Sequence, residues 1–196
     1  MKEDVYIFIG SSGAGKGTQS NLLHKKLGGL FPNAEIFYLE TGVKFRELMK
    51  ENTFTAIHTR KMMEDGELPP AFLGVHTWSH ELIFKYNESQ KVIIDGTPRV
   101  ASEVPLLISA FEYYGWRPHV INIKVSDQWS FEHLKLRGRA DDLDDAGIKE
   151  RIEWFHTSVT PALDILKKAD NVLFHEIDGE HTIEEVHEEI CRALNL

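Results

Sequence analysis

Apolar residues in this chain gather in short continuous runs, and longer amphipathic stretches separate them. The runs Val5–Ile9, Val92-Ile93-Ile94 within Lys91–Asp95, His119–Val125 and Val172–Ile177 have the length and near-unbroken apolarity of strands covered on both faces. Glu35–Tyr38 reads as a further short strand. Between them the pattern predicts helices. The first runs from Gly15 to about Leu27 and stops at Gly28-Gly29; two more span Gly42 to about Glu51 and Thr55 to Glu64, with Asp65-Gly66 as a stop. Another helix starts near Pro69-Pro70 and runs to Tyr86, and Ala101–Tyr114 follows the third strand with Pro105 near its first turn. Ser126 or Asp127 caps a helix to about Arg137. A long helix from about Gly147 to Lys168 is expected to bend at Pro161, and Thr182-Ile-Glu-Glu185 is a capping box that opens the last helix. Strands alternating with helices predict an α/β fold: a five-stranded parallel sheet flanked by helices in three layers, with ligands gathering at the carboxyl ends of strands.

Composition narrows the function. With 196 residues and 42% hydrophobic content the chain can bury a full core. A formal net charge of −9 argues against a general nucleic-acid partner. The single Cys191 excludes a disulfide framework within the chain and a cysteine-based zinc site, and it suits a reducing cytoplasm. No apolar stretch is long enough to span a membrane, and the N-terminus shows no signal pattern.

The chemistry sits first at Gly10-Ser-Ser-Gly-Ala-Gly15-Lys16-Gly17-Thr18, between the first strand and the first helix. Glycines let the backbone close around an anion, and the N–H groups of the loop and helix start point at it. Gly13, Ala14, Gly15, Lys16, Gly17 and Thr18 are the candidate cradle for ATP phosphates, with Lys16 as a point charge. A glycine-rich turn that binds nothing is the bland alternative. Gly17 stands where a Ser or Thr would normally hold Mg²⁺, and the hydroxyl comes one place later at Thr18.

Other strand ends carry Leu39-Glu-Thr41-Gly42-Val-Lys-Phe-Arg46 and Asp95-Gly96-Thr-Pro98-Arg99, followed later by Arg137-Gly138-Arg139-Ala-Asp141-Asp142 and Arg151. In this order the set resembles the adenylate kinase branch of the nucleoside monophosphate kinases over nearly the whole chain. That family reads Gly-x-x-Gly-x-Gly-Lys-Gly-Thr, Thr-Gly-Asp-x-x-Arg, Asp-Gly-aromatic-Pro-Arg and Gly-Arg-x-Asp-Asp. The resemblance implies a single P-loop kinase domain over 1–196: a core of 1–40, 88–136 and 147–196, a helical acceptor flap at 41–87 and a short lid at 137–146. It implies Mg²⁺-dependent phosphoryl transfer, ATP + AMP ⇌ 2 ADP, by a monomer or small homo-oligomer. Lys16, Arg99, Arg137, Arg139 and Arg151 would be catalytic. Thr41, Gly42, Arg46, Leu68, Gly96, Arg99 and Glu103 would bind the acceptor, His133 would stack on the donor base, and Asp95 would reach the metal through water. Such transfer asks for positioning and charge stabilisation, which arginine forks supply. Taken singly, each arginine could equally be a surface charge.

The chain departs from the family at Val43, Thr97, Glu103 and His133. The family places Gln where this chain has Glu103. An ionised carboxylate only accepts hydrogen bonds, whereas adenine's edge offers one donor and one acceptor and guanine's offers two donors. GMP, or relaxed acceptor choice, is therefore an alternative to AMP; Glu103 could also be an exposed helix residue with no ligand role. A non-catalytic nucleotide switch is disfavoured, because no Asn-Lys-x-Asp motif is present. His76 and His80 have a metal-compatible helical spacing, but an exposed polar face explains them as well.

Overall fold

A computed structural model describes residues 3–64, 67–138 and 144–196. The elements run β1 (Glu3–Gly10), α1 (Lys16–Leu30), β2 (Ile36–Glu40), α2 (Thr41–Leu48), α3 (Phe54–Glu64), α4 (Ala71–Lys85) and β3 (Lys91–Asp95). A 3₁₀ turn at Ala101–Glu103 leads into α5 (Val104–Tyr113), then β4 (Trp116–Lys124), α6 (Asp127–Arg137), α7 (Asp145–Trp154), α8 (Thr160–Lys167), β5 (Leu173–Asp178) and α9 (Ile183–Leu194). The five strands pair in parallel in the order β2-β3-β1-β4-β5. The chain leaves β1 for the β3 side and later returns to its β4 side. The loop after β1 thus sits where strand order reverses, which is where an open α/β sheet leaves a crevice.

Both faces of the sheet are covered, so β1 is apolar throughout. Val5, Ile7 and Ile9 face a core shared with α4, α5 and α8, while Tyr6 and Phe8 face α1 and α9. Leu23 and Leu27 carry α1 onto that second face, and Val186, Ile190 and Leu194 repeat at helical spacing to do the same for α9. The predicted capping box of α9 is present, with the Glu185 N–H donating to the Thr182 hydroxyl and Glu185 accepting from the Thr182 N–H.

Two predicted helices differ in detail. The α1 helix does not stop at Gly28-Gly29 but continues to Leu30, where the Phe31 N–H bonds the Leu27 carbonyl. Each glycine costs a helix about 1 kcal/mol, a cost that packing of the Leu23/Leu27 stripe outweighs. Gly28 also faces Ile36, where a Cβ would fit at ordinary contact distance, 3.9 Å from Ile36 Cδ1. The expected bend at Pro161 appears as a π turn over Phe155–Val159, just before α8. Proline lacks an N–H and crowds the preceding turn, so the ladder widens there. The Thr160 hydroxyl donates to the Phe155 carbonyl across that widened turn at 3.2 Å.

At the amino end of β1 and β4, Asp4 takes Arg117 at 2.9 Å and His119 at 3.1 Å, and His119 meets His175 of β5 at 3.1 Å. A neutral His119 satisfies this chain by donating to Asp4 and accepting from His175. Burial holds both histidines below the ordinary value of 6.5. Their neutral forms therefore support the fold fully above that value, and the support is lost as pH falls below it, because the unfolded chain then takes up protons first. The melting temperature is expected to fall between pH 7.5 and pH 5.5, and His175→Gln should shrink that drop. An identical drop in the variant would remove the pair from the explanation.

Candidate active site

Much of the site hangs from the carboxyl ends of β1, β2 and β3. Gly10 ends β1 so close to β4 that a Cβ would stand 2.5 Å from the Ile123 carbonyl. Gly13, at φ 87°, approaches α6, where a Cβ would meet the Ser130 carbonyl at 2.8 Å. The buried hydroxyls of Ser11 and Ser130 bond each other and tie the loop to α6. Gly15 adopts φ 85° and opens α1, and Ala14 is buried beneath the loop.

Lys16 folds back over its own loop, donating to the carbonyls of Gly10 at 2.9 Å and Ser11 at 2.8 Å. Desolvation pushes its pKa down to about 8; Arg99, Arg137 and Arg151 press it the same way, and Asp95 opposes them. In a chain of net charge −9, four cations are thus gathered around one loop. An anion of several charges would relieve their repulsion.

The β2 and β3 ends lock together. Thr41 donates its hydroxyl to the carbonyls of Asp95 at 2.9 Å and Gly96 at 2.8 Å. Arg99 turns back to donate from Nε to the Gly96 carbonyl at 3.0 Å. Gly42 lies between two guanidinium groups: its missing Cβ would stand 3.1 Å from Arg99 and 3.3 Å from Arg46. Any side chain there would push into that arginine pair. Arg151, from α7, reaches the loop from the other side and donates to the Ser12 hydroxyl at 3.4 Å.

These groups border a cavity of about 390 Å³. Lys16, Thr41, Gly42, Arg46, Gly96, Arg99 and Arg151 line it, and so do Leu68 and Glu103. Glu103 is 2% exposed. Its carboxylate accepts from the Arg99 N–H and the Thr97 hydroxyl, each at 3.2 Å. Desolvation raises its pKa above the usual carboxylate range, and those two bonds with the Arg99 charge oppose the rise.

His133 stands apart from this cavity. It donates from Nδ1 to the Trp129 carbonyl at 2.9 Å and stacks on the Trp129 ring, centroids 4.3 Å apart. Thr18 is exposed near the start of α1, and Arg137 ends α6. Arg139, Asp141 and Asp142, and half of the expected lid with them, lie outside the described residues. His76 and His80 stand side by side on α4 with ring centroids 5.6 Å apart, and among the described residues no group of three metal-ligating side chains occurs.

Two neighbours escaped sequence reasoning. Gly74 in α4 faces Glu103, where a Cβ would stand 3.0 Å from Oε1; a glycine inside a helix was the available signal. Glu40 is the register partner of Asp95 across β2 and β3. A cation also fits here. Gly17 presents no side chain, and Asp95 Oδ2 lies 3.7 Å from where its Cβ would be, so a carboxylate faces the start of α1 and could accept from the water shell of a phosphate-bound cation.

A strand that opens into a glycine loop and a helix, faced by arginines from neighbouring elements across one cavity, defines a P-loop phosphotransferase. The adenylate kinase family model matches residues 8–171. The chain is 30% identical to adenylate kinase 1 of Nostoc sp. and to adenylate kinase of Mycobacterium tuberculosis, and 28% identical to adenylate kinase of Corynebacterium glutamicum. Each match spans 96% of this chain and 97% of the relative. The chain belongs to the adenylate kinase family: it is a nucleoside monophosphate kinase that moves a phosphoryl group between nucleotides. Among the described residues, no helix is long and apolar enough to cross a membrane.

Proposed function

We propose that the protein catalyses ATP + AMP ⇌ 2 ADP with Mg²⁺ on the donor, in the cytoplasm where both nucleotides are supplied. The observation that carries this reading is that Lys16, Arg99, Arg151 and Glu103 all line one cavity. Loop N–H groups and Lys16 hold the donor phosphates. Arg46 and Arg99 grip the acceptor phosphate, and Arg137, Arg139 and Arg151 neutralise charge on the phosphoryl group in flight. No general base is needed, since the acceptor oxygen is already ionised. Thr41, Gly42 and Gly96 keep the acceptor phosphate site rigid, and Leu68 and Glu103 face the base. His133 offers a ring to the donor base. Asp95 would hold the metal's water shell; the Mg²⁺ ion supplies charge neutralisation along the phosphates.

The Glu103 carboxyl fits AMP in its protonated form, which like an amide has one donor and one acceptor. Burial favours that form. The ionised form, which Thr97 and Arg99 support by hydrogen bonds, fits the two donors of guanine instead, so GMP is the second reading. AMP, GMP, CMP, UMP and dTMP should be compared as acceptors from pH 6 to pH 9. AMP is expected to lead, and its advantage over GMP to narrow as pH rises. Glu103→Gln should widen the advantage by roughly tenfold, the scale of one mismatched buried hydrogen bond, and flatten the pH dependence. AMP as the poorest acceptor would overturn the reading.

A further inference from the structure

We propose that Glu40 is a second positioning carboxylate, which works with Asp95 to hold the water shell of the nucleotide-bound Mg²⁺. The inference rests on the Mg²⁺-nucleotide reading above and deepens it.

Glu40 is the last residue of β2 and Asp95 the last of β3, and the two are register partners in a parallel pair. Partners in parallel strands point to the same face. On this face Tyr38 and Ile93 precede them and pack with the core under α1. Both carboxylates therefore stand at the sheet edge over which the P-loop turns into α1. Asp95 is the one beside Gly17, its Oδ2 3.7 Å from where a Cβ would stand.

Glu40 is also tied to α1. The Tyr38 hydroxyl donates to Glu40 Oε1 at 2.9 Å, so its oxygen accepts from the Ser20 hydroxyl at 2.7 Å. Ser20 is fully buried one turn beyond Gly17 on α1. The relay Ser20–Tyr38–Glu40 fixes one carboxylate oxygen against the helix that carries the phosphate loop.

Two absences elsewhere make a second carboxylate useful. Gly17 has no hydroxyl to meet a cation directly. Val43 brings no charge to the first turn of α2. A nucleotide-bound Mg²⁺ keeps several of its waters, and these need acceptors arranged around them. Asp95 alone offers acceptors from one strand end; Glu40, on the neighbouring strand, adds them from a second.

The test measures metal binding apart from turnover. Titration calorimetry would give the affinity of a non-hydrolysable ATP analogue without metal, and electron paramagnetic resonance would give the affinity of Mn²⁺ for the enzyme–analogue complex. Glu40→Gln is expected to leave the metal-free analogue affinity within twofold or make it tighter, and to weaken Mn²⁺ binding five- to tenfold. Tyr38→Phe, which keeps the charge but removes the anchor, should weaken Mn²⁺ binding about twofold to threefold and covers the case of a Glu40 variant that does not fold. Unchanged Mn²⁺ affinity in a folded Glu40→Gln protein would overturn the proposal. So would a metal-free affinity that falls in step with it. A parent protein that binds neither analogue nor Mn²⁺ would instead overturn the phosphotransfer reading, and the inference with it.

Discussion

Lys16→Met is expected to lower kcat by about a thousandfold while the protein melts no lower than its parent at pH 7, the scale on which a preorganised charge at a transferring phosphoryl contributes. The two halves of this expectation share one cause. In the free protein the Lys16 ammonium is crowded by Arg99, Arg137 and Arg151, and desolvation pushes its pKa down to about 8 from 10.5. A lysine whose folded pKa is depressed opposes folding wherever it is still charged. The unfolded chain holds that proton more tightly, so stability rises with pH between about 8 and 10.5 and is lowest below that window. Removing the charge takes away this penalty, which offsets the loss of two hydrogen bonds to Gly10 and Ser11. Bound phosphates reverse the balance: they hold Lys16 in its charged form. ATP-analogue affinity in the parent should therefore weaken as pH rises through 8, with proton uptake visible by calorimetry in buffers of different ionisation enthalpy. The methionine variant should lose this pH slope. A variant that keeps both slope and kcat would leave Lys16 as a structural lid on the loop and nothing more.

The parts of the molecule that could be read in advance are those whose cause is local. The P-loop was legible because a strand, a set of glycines at fixed offsets and a helix must follow one another for the loop to close. The strand cores were legible because two-sided burial leaves no polar positions, and the α9 start because Thr182 and Glu185 satisfy one another across a single turn. Glycine arithmetic failed at Gly28-Gly29, since the buried Leu23/Leu27 stripe carries α1 past both glycines to Leu30. The Asp4–His119–His175 chain was invisible because its members lie on three strands far apart in sequence. At the site, motif offsets pointed to Arg46, Arg99, Arg151 and Glu103, which the fold brings to one cavity, yet they said nothing of what holds Glu103. That answer needs the Arg99 N–H, the Thr97 hydroxyl and the close approach of Gly74 from another helix. Likewise the sequence offers His133 as a ring to stack on the donor base, and only the fold shows Trp129 already stacked on one of its faces.

Arg99→Lys is expected to lower kcat/KM for AMP by about a hundredfold or more while ATP-analogue affinity stays within a factor of a few, because a forked contact to phosphate is lost at the acceptor side alone. Arg99 spends its Nε–H on the Gly96 carbonyl, which leaves its terminal nitrogens to face the cavity across Gly42, next to Arg46. A lysine ammonium is a point charge and cannot hold that carbonyl and a phosphate oxygen pair in one plane. Arg99→Met goes further, because it also removes the cation whose charge lowers the Glu103 pKa. Glu103 should then hold its proton to a higher pH. The pH at which the AMP advantage over GMP narrows is accordingly expected to move upward in Arg99→Met and to stay near the parent value in Arg99→Lys. Acceptor assays across pH on the three proteins read both effects at once. The phosphate contact appears as a loss common to AMP and GMP, and the coupling to Glu103 as a displaced crossover between them. If ATP-analogue and AMP affinity collapsed together in both variants, Arg99 would be a support for the β2–β3 junction and not the grip on the acceptor phosphate.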